Sequence, residues 1–235
     1  MKIIAIDMSS EACSAALYVE TEGQGNEISE RFEIAPGAHS QQILPMVESL
    51  LGEAGMVLSQ LDAIAFGRGP GSFTGLRVAA GVTQGIAFGA DLPVVSVSTL
   101  AALAQGAWET LRQDHVLSAL DARMDEVYWG AFKLDTKGIM LLVGDEIVCS
   151  PANVPTPDFG QWHGVGSGWD RYSEEFLSRL KEKVQDWEQA AYPRARYIAL
   201  LANHYYKNGN IISPEQAIPI YLRDNVAKKA RKNNS

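Results

Sequence analysis

Two places in the chain carry residues whose types and spacing suggest chemistry. Asp7 closes the opening apolar run, and Asp121 closes a second such run beginning at Val116; each faces a short polar turn. Paired carboxylates at the mouths of two strands can hold a hydrated Mg²⁺ beside a nucleotide, because hard cations take oxygen ligands. Each can equally cap its own turn. The second place is residues 67–77, Gly-Arg-Gly-Pro-Gly-Ser-Phe-Thr-Gly-Leu-Arg, with four glycines in nine positions. Glycine permits close approaches that a Cβ forbids. Ser72 or Thr74 can cap the helix that follows, and its first N–H groups could cradle an anion; the alternative is a tight strand-to-helix turn. No Gly-Lys-Ser/Thr follows, so this is not a Walker loop.

A remnant nucleotide site would draw on Asp7, Ser9, Ser10, Gly69, Gly71, Ser72 and Asp121. The turns argue against a working one. Met8, Ser9 and Ser10 follow Asp7, and Ala122, Arg123 and Met124 follow Asp121, with no glycine to admit a phosphate in either. Gly164-Val-Gly-Ser-Gly168 is only a loose match to a nucleotide loop. The four histidines (His39, His115, His163, His204) are scattered, so no metal site is expected. Cys13 and Cys149 are too few for a disulfide framework and read as free thiols.

Several elements must position these groups. Strands are expected at residues 2–7, 13–20 and 26–34, a helix at 40–54, a strand at 61–66, a helix at 74–89, a strand at 94–97 and a helix at 99–111. That order, βββαβαβα, implies a mixed sheet covered by helices. It then restarts: residues 116–132 repeat the layout strand, Asp, polar turn, strand, and 139–148 supply a third strand, with the two aspartates 114 residues apart. The chain therefore divides into two related α/β lobes, 1–112 and 113–222, the second less regular. Within the second lobe, a strand is expected at 162–166 and helices at 172–183 and 193–207. A flexible basic tail follows at 223–235, with Lys228, Lys229, Arg231 and Lys232.

The helix after the glycine-rich run is unusual. Gly81, Gly85 and Gly89 fall four apart beside Val78, Val82 and Ile86, following Arg77. Each glycine costs a helix interior ~1 kcal/mol relative to alanine. Three on one stripe imply that something packs very close: the protein's own sheet, a neighbouring helix, or a helix of another chain. The helix at 40–54 carries Ile43, Leu44, Met46, Val47, Leu50 and Leu51 around more than half its girth. That exceeds what one sheet contact would use and suggests an exposed apolar patch.

Composition narrows the class. Among 235 residues, 46% are apolar and the net charge is -8, carried by residues 1–110 with 12 acidic and 4 basic side chains. Such a lobe repels a phosphate backbone, which disfavours direct tRNA or DNA binding. The opening apolar run is cut by Asp7, so no signal peptide is expected, and the longest uncharged stretch falls short of a membrane span. A soluble cytoplasmic protein is expected.

The run at 67–77, together with Ile-Ala-Ile-Asp-Met-Ser-Ser at 4–10 and Leu-Asp-Ala-Arg-Met-Asp-Glu-Val-Tyr at 120–128, resembles the bacterial TsaB family. His-Ser-Gln-Gln-Ile-Leu-Pro at 39–45 and Pro-Ile-Tyr-Leu-Arg at 219–223 also match, so the resemblance spans essentially the whole chain. It implies the two-lobed actin/Hsp70-like ATPase fold, with a degenerate second lobe. It also implies a non-catalytic partner of TsaD which, with TsaE, supports formation of N6-threonylcarbamoyladenosine beside the anticodon of tRNAs reading codons that begin with A. TsaD-type enzymes carry a metal-binding His-x-x-x-His after the strand that here reads Leu-Pro-Val-Val-Ser-Val; the two positions are Thr99 and Leu103, which cannot replace it. The resemblance further implies that helices 40–54 and 74–89 pair with TsaD, that the same face makes a homodimer in isolation, and that a nucleotide sits only at the junction with TsaD. tRNA would be met through the complex. The competing reading is an ATP-dependent kinase or acyl-transfer enzyme of the same fold.

Overall fold

A computed structural model describes residues 1–23, 25–34, 39–158 and 160–223. The first three strands, β1 (Lys2–Asp7), β2 (Ala12–Thr21) and β3 (Gly25–Ile34), form an antiparallel meander. β1 and β2 are covered on both faces and so read as near-continuous apolar runs, whereas β3 is the sheet edge and is rich in charge. After α1 (His39–Glu53), β4 (Ala63–Gly69) and β5 (Val94–Ser98) join in parallel, separated by α2 (Phe73–Ala90) and followed by α3 (Thr99–Leu111). The sheet order is β3-β2-β1-β4-β5.

The second half repeats this strand for strand. β6 (His115–Asp121), β7 (Val127–Leu134), β8 (Met140–Cys149), β9 (Trp162–Val165) and β10 (Val184–Glu188) form a sheet ordered β10-β9-β6-β7-β8, with the same parallel and antiparallel pairings. Asp7 and Asp121 each end the central strand of their sheet, as the duplication requires. The helices α4 (Ser167–Leu180) and α5 (Ala195–Lys207) correspond to α2 and α3, but where α1 stands in the first half there is only a single helical turn, Pro151–Asn153. This is the expected duplicated α/β architecture with a reduced second lobe.

The final helix of each half binds the halves together. α3 packs on β6, β7 and β8, α5 packs on β1, β2, β4 and β5, and the two helices touch. Small residues make this possible: α3 buries Ala101, Ala102, Ala104 and Ala107, and the Tyr197 ring of α5 lies against Gly106. One core therefore runs from Ile3, Ala5 and Val95 to Val116, Phe132 and Val165. Polar ties seal its rim. The Ala195 N–H donates to Ser14 Oγ (2.9 Å), and Arg194 pairs with Glu30 at 2.5 Å.

Three details differ from the sequence reading. β10 was not expected, because Val-Gln-Asp-Trp-Glu carries too few apolar residues to stand out. α4 begins at Ser167 rather than 172, and its backbone is irregular at Tyr172 (φ -126°, ψ 26°). Residue 223 does not open a free tail: Arg223 pairs with Glu126 and donates to the Arg123 carbonyl (3.3 Å). The basic cluster at 228–232 lies outside the described residues.

Candidate functional site

At the strand ends of the first lobe, the Asp7 carboxylate is completely buried. Its Oδ1 accepts from the Ser9 N–H (3.1 Å) and from Ser9 Oγ (2.8 Å), and its Oδ2 has no hydrogen-bond partner among the described residues. Burial pushes its pKa up to about 6, against the pull of the Ser9 bonds. The glycine-rich run lies directly on this turn. A Cβ at Gly71 would overlap the Ser9 carbonyl, one at Gly75 the Met8 carbonyl, and one at Gly67 the Asp7 carboxylate itself. The Ser72 N–H donates to the Ser9 carbonyl (2.7 Å), and Thr99 Oγ1 donates to the Pro70 carbonyl.

These glycines therefore serve the close approach of the chain to itself. Of the two readings left open for the run, the packed strand-to-helix turn is the one the structure shows. Ser72 caps α2, its Oγ accepting from the Gly75 N–H at 3.4 Å, while Ser10 Oγ accepts from the Ala12 N–H (3.2 Å) within its own turn.

The second lobe is closed in a similar way. Asp121 Oδ1 accepts from the Arg123 N–H (3.0 Å), and Oδ2 pairs with Arg171 at 3.0 Å and Arg123 at 3.5 Å. Gly166 and Gly168 lie against Ala119, and Gly164 against the Trp169 ring, so this run also serves helix-to-strand packing. Thr99 and Leu103, the two positions expected to match the TsaD-type metal ligands, are buried. Among the described residues no three His, Cys, Asp or Glu side chains gather where they could hold a metal. A magnesium–nucleotide does not fit this donor set, since Asp121 is held by arginines and the turn at Met8–Ser9 fills the glycine cradle.

The outer face of the first lobe is different. On α1, Ile43, Val47, Leu50 and Leu51 are buried in the chain's own core with Ile4, Ile6, Leu17 and Phe66. They must be removed from the expected partner surface, because the sheet uses more of this helix than its girth suggested. Leu44, 47% exposed, and half-buried Met46 remain available. On α2, Val78, Val82 and Ile86 are half-buried and rest against the same core.

The glycine stripe is open. A Cβ at Gly81, Gly85 or Gly89 would meet nothing within 4 Å. The chain's own sheet is thus not what the glycines accommodate. Phe73 and Arg77 continue the stripe at the same four-residue spacing, and Phe88 flanks it; Phe73 is 54% and Phe88 57% exposed. Both phenylalanines were missed from sequence, although their helical register beside Arg77 and Gly85 was visible. Tyr221, whose ring lies 5.6 Å from that of Phe73, had no local signal, since it reaches α2 only through tertiary structure.

A protein of Escherichia coli (strain K12) named tRNA threonylcarbamoyladenosine biosynthesis protein TsaB is 40% identical over 232 residues, covering 97% of this chain and 97% of its own. The chain belongs to the TsaB family. The namesake from Haemophilus influenzae is 40% identical over 237 residues, covering 97% of this chain and 96% of its own. The solved structure of YeaZ from Pseudomonas aeruginosa superposes with a TM-score of 0.86 at 44% identity, over 94% of this chain and 99% of that one. Residues 31–231 also match the family described as TsaD, tRNA N6-adenosine threonylcarbamoyltransferase. No helix of the described residues is long and apolar enough to cross a membrane.

Proposed function

We propose that this TsaB-family chain serves the formation of threonylcarbamoyladenosine in tRNA as a non-catalytic subunit, binding TsaD through the face of α1 and α2. One contrast carries the reading. The strand-end pocket is filled by the chain's own turn at Met8–Ser9, while the stripe Gly81, Gly85, Gly89 is open to solvent. Exposed glycines in a helix interior are unfavourable for the isolated chain. A stripe of small residues lets two helix backbones approach closely, which gives these glycines a purpose in a complex.

On this reading TsaE and tRNA are met through the TsaD complex, a nucleotide is held only at the junction with TsaD, and a second copy takes the same face when TsaD is missing. The setting is the cytoplasm, where tRNA is modified. The kinase or acyl-transfer alternative draws no support from a pocket occupied by backbone. Reconstitution tests the proposal: purified TsaD and TsaE with threonylcarbamoyl-adenylate and tRNA should yield modified adenosine only when this chain is added. Modification by this chain alone, or full modification without it, refutes the role.

A further inference from the structure

Arg77 is the one charged side chain on the exposed stripe of α2. Its guanidinium carbon lies 3.8 Å from the centroid of the Phe73 ring, and its Nε donates to Tyr221 Oη at 3.2 Å. These contacts anchor the guanidinium over the ring and engage Nε, leaving its two terminal nitrogens without a hydrogen bond among the described residues. Among the described residues no carboxylate pairs with it, although its lobe is acidic; of the other three arginines of that lobe, Arg31 pairs with Glu53, Arg68 lies 3.7 Å from Glu146, and Arg112 stacks over Trp108 at 5.2 Å. α2 itself contains no Asp or Glu, so a second copy laid α2 against α2 brings Arg77 no counter-charge from that helix.

We infer that Arg77 is the recognition charge of the partner face, receiving a carboxylate that TsaD presents beside the N-terminal end of α2. This deepens the proposed function and rests on it. A guanidinium already fixed by stacking loses little freedom on pairing, and its planar fork matches a carboxylate through two parallel hydrogen bonds. The glycine stripe allows close approach but, being featureless, leaves the helices free to slide. One charge pair at its end fixes the register, and in a chain of net charge -8 it supplies local attraction where the overall field repels an acidic partner.

The test measures affinity of the full chain for TsaD by calorimetry at low and high salt. Arg77→Met keeps a flexible apolar stem over Phe73 and removes the charge; it should bind about tenfold more weakly at low salt, or worse, and lose most of the salt dependence. Arg77→Lys should keep the salt dependence. Unchanged affinity for Arg77→Met, or an equal loss at both salt concentrations, overturns the assignment, the latter by showing that only packing was removed. Gly85→Leu separates the two levels of the argument: if it binds TsaD normally, the face itself is wrong, and if only Arg77→Met does, the face stands and the charge pair fails.

Discussion

Replacing Gly81 and Gly85 together by alanine should make the isolated protein more stable and its complex weaker. Both positions are inside α2, well away from its ends, and at neither would a Cβ meet another atom within 4 Å. No packing term opposes the change, so helix propensity alone decides the sign, at about 1 kcal/mol for each site. The double variant should therefore gain about 2 kcal/mol, which for a chain of this size raises the melting temperature by roughly 4–8 °C. Urea unfolding at fixed pH measures the gain, and an unchanged slope shows that the same surface is exposed on unfolding.

In the complex the same methyl groups enter a close helix contact, where overpacking costs about 1–3 kcal/mol. Affinity for TsaD should fall about fivefold or more, and further for Gly85→Leu. Opposite signs in the two assays are the signature of glycines kept for a partner. A double variant that is less stable than the parent would show that something in the chain already covers the stripe. One that binds TsaD undiminished would show that the stripe is not the contact.

Two further outcomes follow from the strand-end pocket. With the Asp7 carboxyl raised from 3.8 to about 6 on folding, the unfolded chain ionises first, so stability declines as pH rises through that window and the loss is complete above it. Asp7→Asn removes this dependence; its gain over the parent in urea unfolding should be about 2 kcal/mol larger at pH ~7.5 than at pH ~4.5, and a gain independent of pH would mean that the carboxylate is not buried as described. Gly75→Ala would drive a Cβ into the Met8 carbonyl, and thermal unfolding should show a loss of about 3 kcal/mol or more. A neutral result there would mean that the glycine run stands clear of the turn and could still admit a ligand.

Much of the architecture was legible before any coordinates. β1 was placed to the residue by a buried apolar run ending in Asp7, and the helix expected at 99–111 is α3 with the same bounds. The duplication was legible because strand, Asp, turn and strand recur in the same order, although few identical residues do. β10 was not, since its polar residues satisfy only a sheet edge, where one neighbour suffices. The surface on α1 was misjudged for a related reason. Periodicity reports which side chains are apolar, but Ile43, Val47, Leu50 and Leu51 would look the same beneath the chain's own sheet or beneath another protein.

Sequence by itself determined the two-lobed plan and the four-residue glycine stripe, because each depends on residue type and spacing along the chain. Tertiary structure alone decided what the glycines do. In the loop they admit the backbone at Met8–Ser9, and on α2 they admit nothing from this chain. A glycine records only that a side chain would be unwelcome; what would meet it depends on segments far away in the sequence, or on a different molecule. The same holds for Tyr221, brought to Phe73 and Arg77 across 144 residues by the closing segment of the chain.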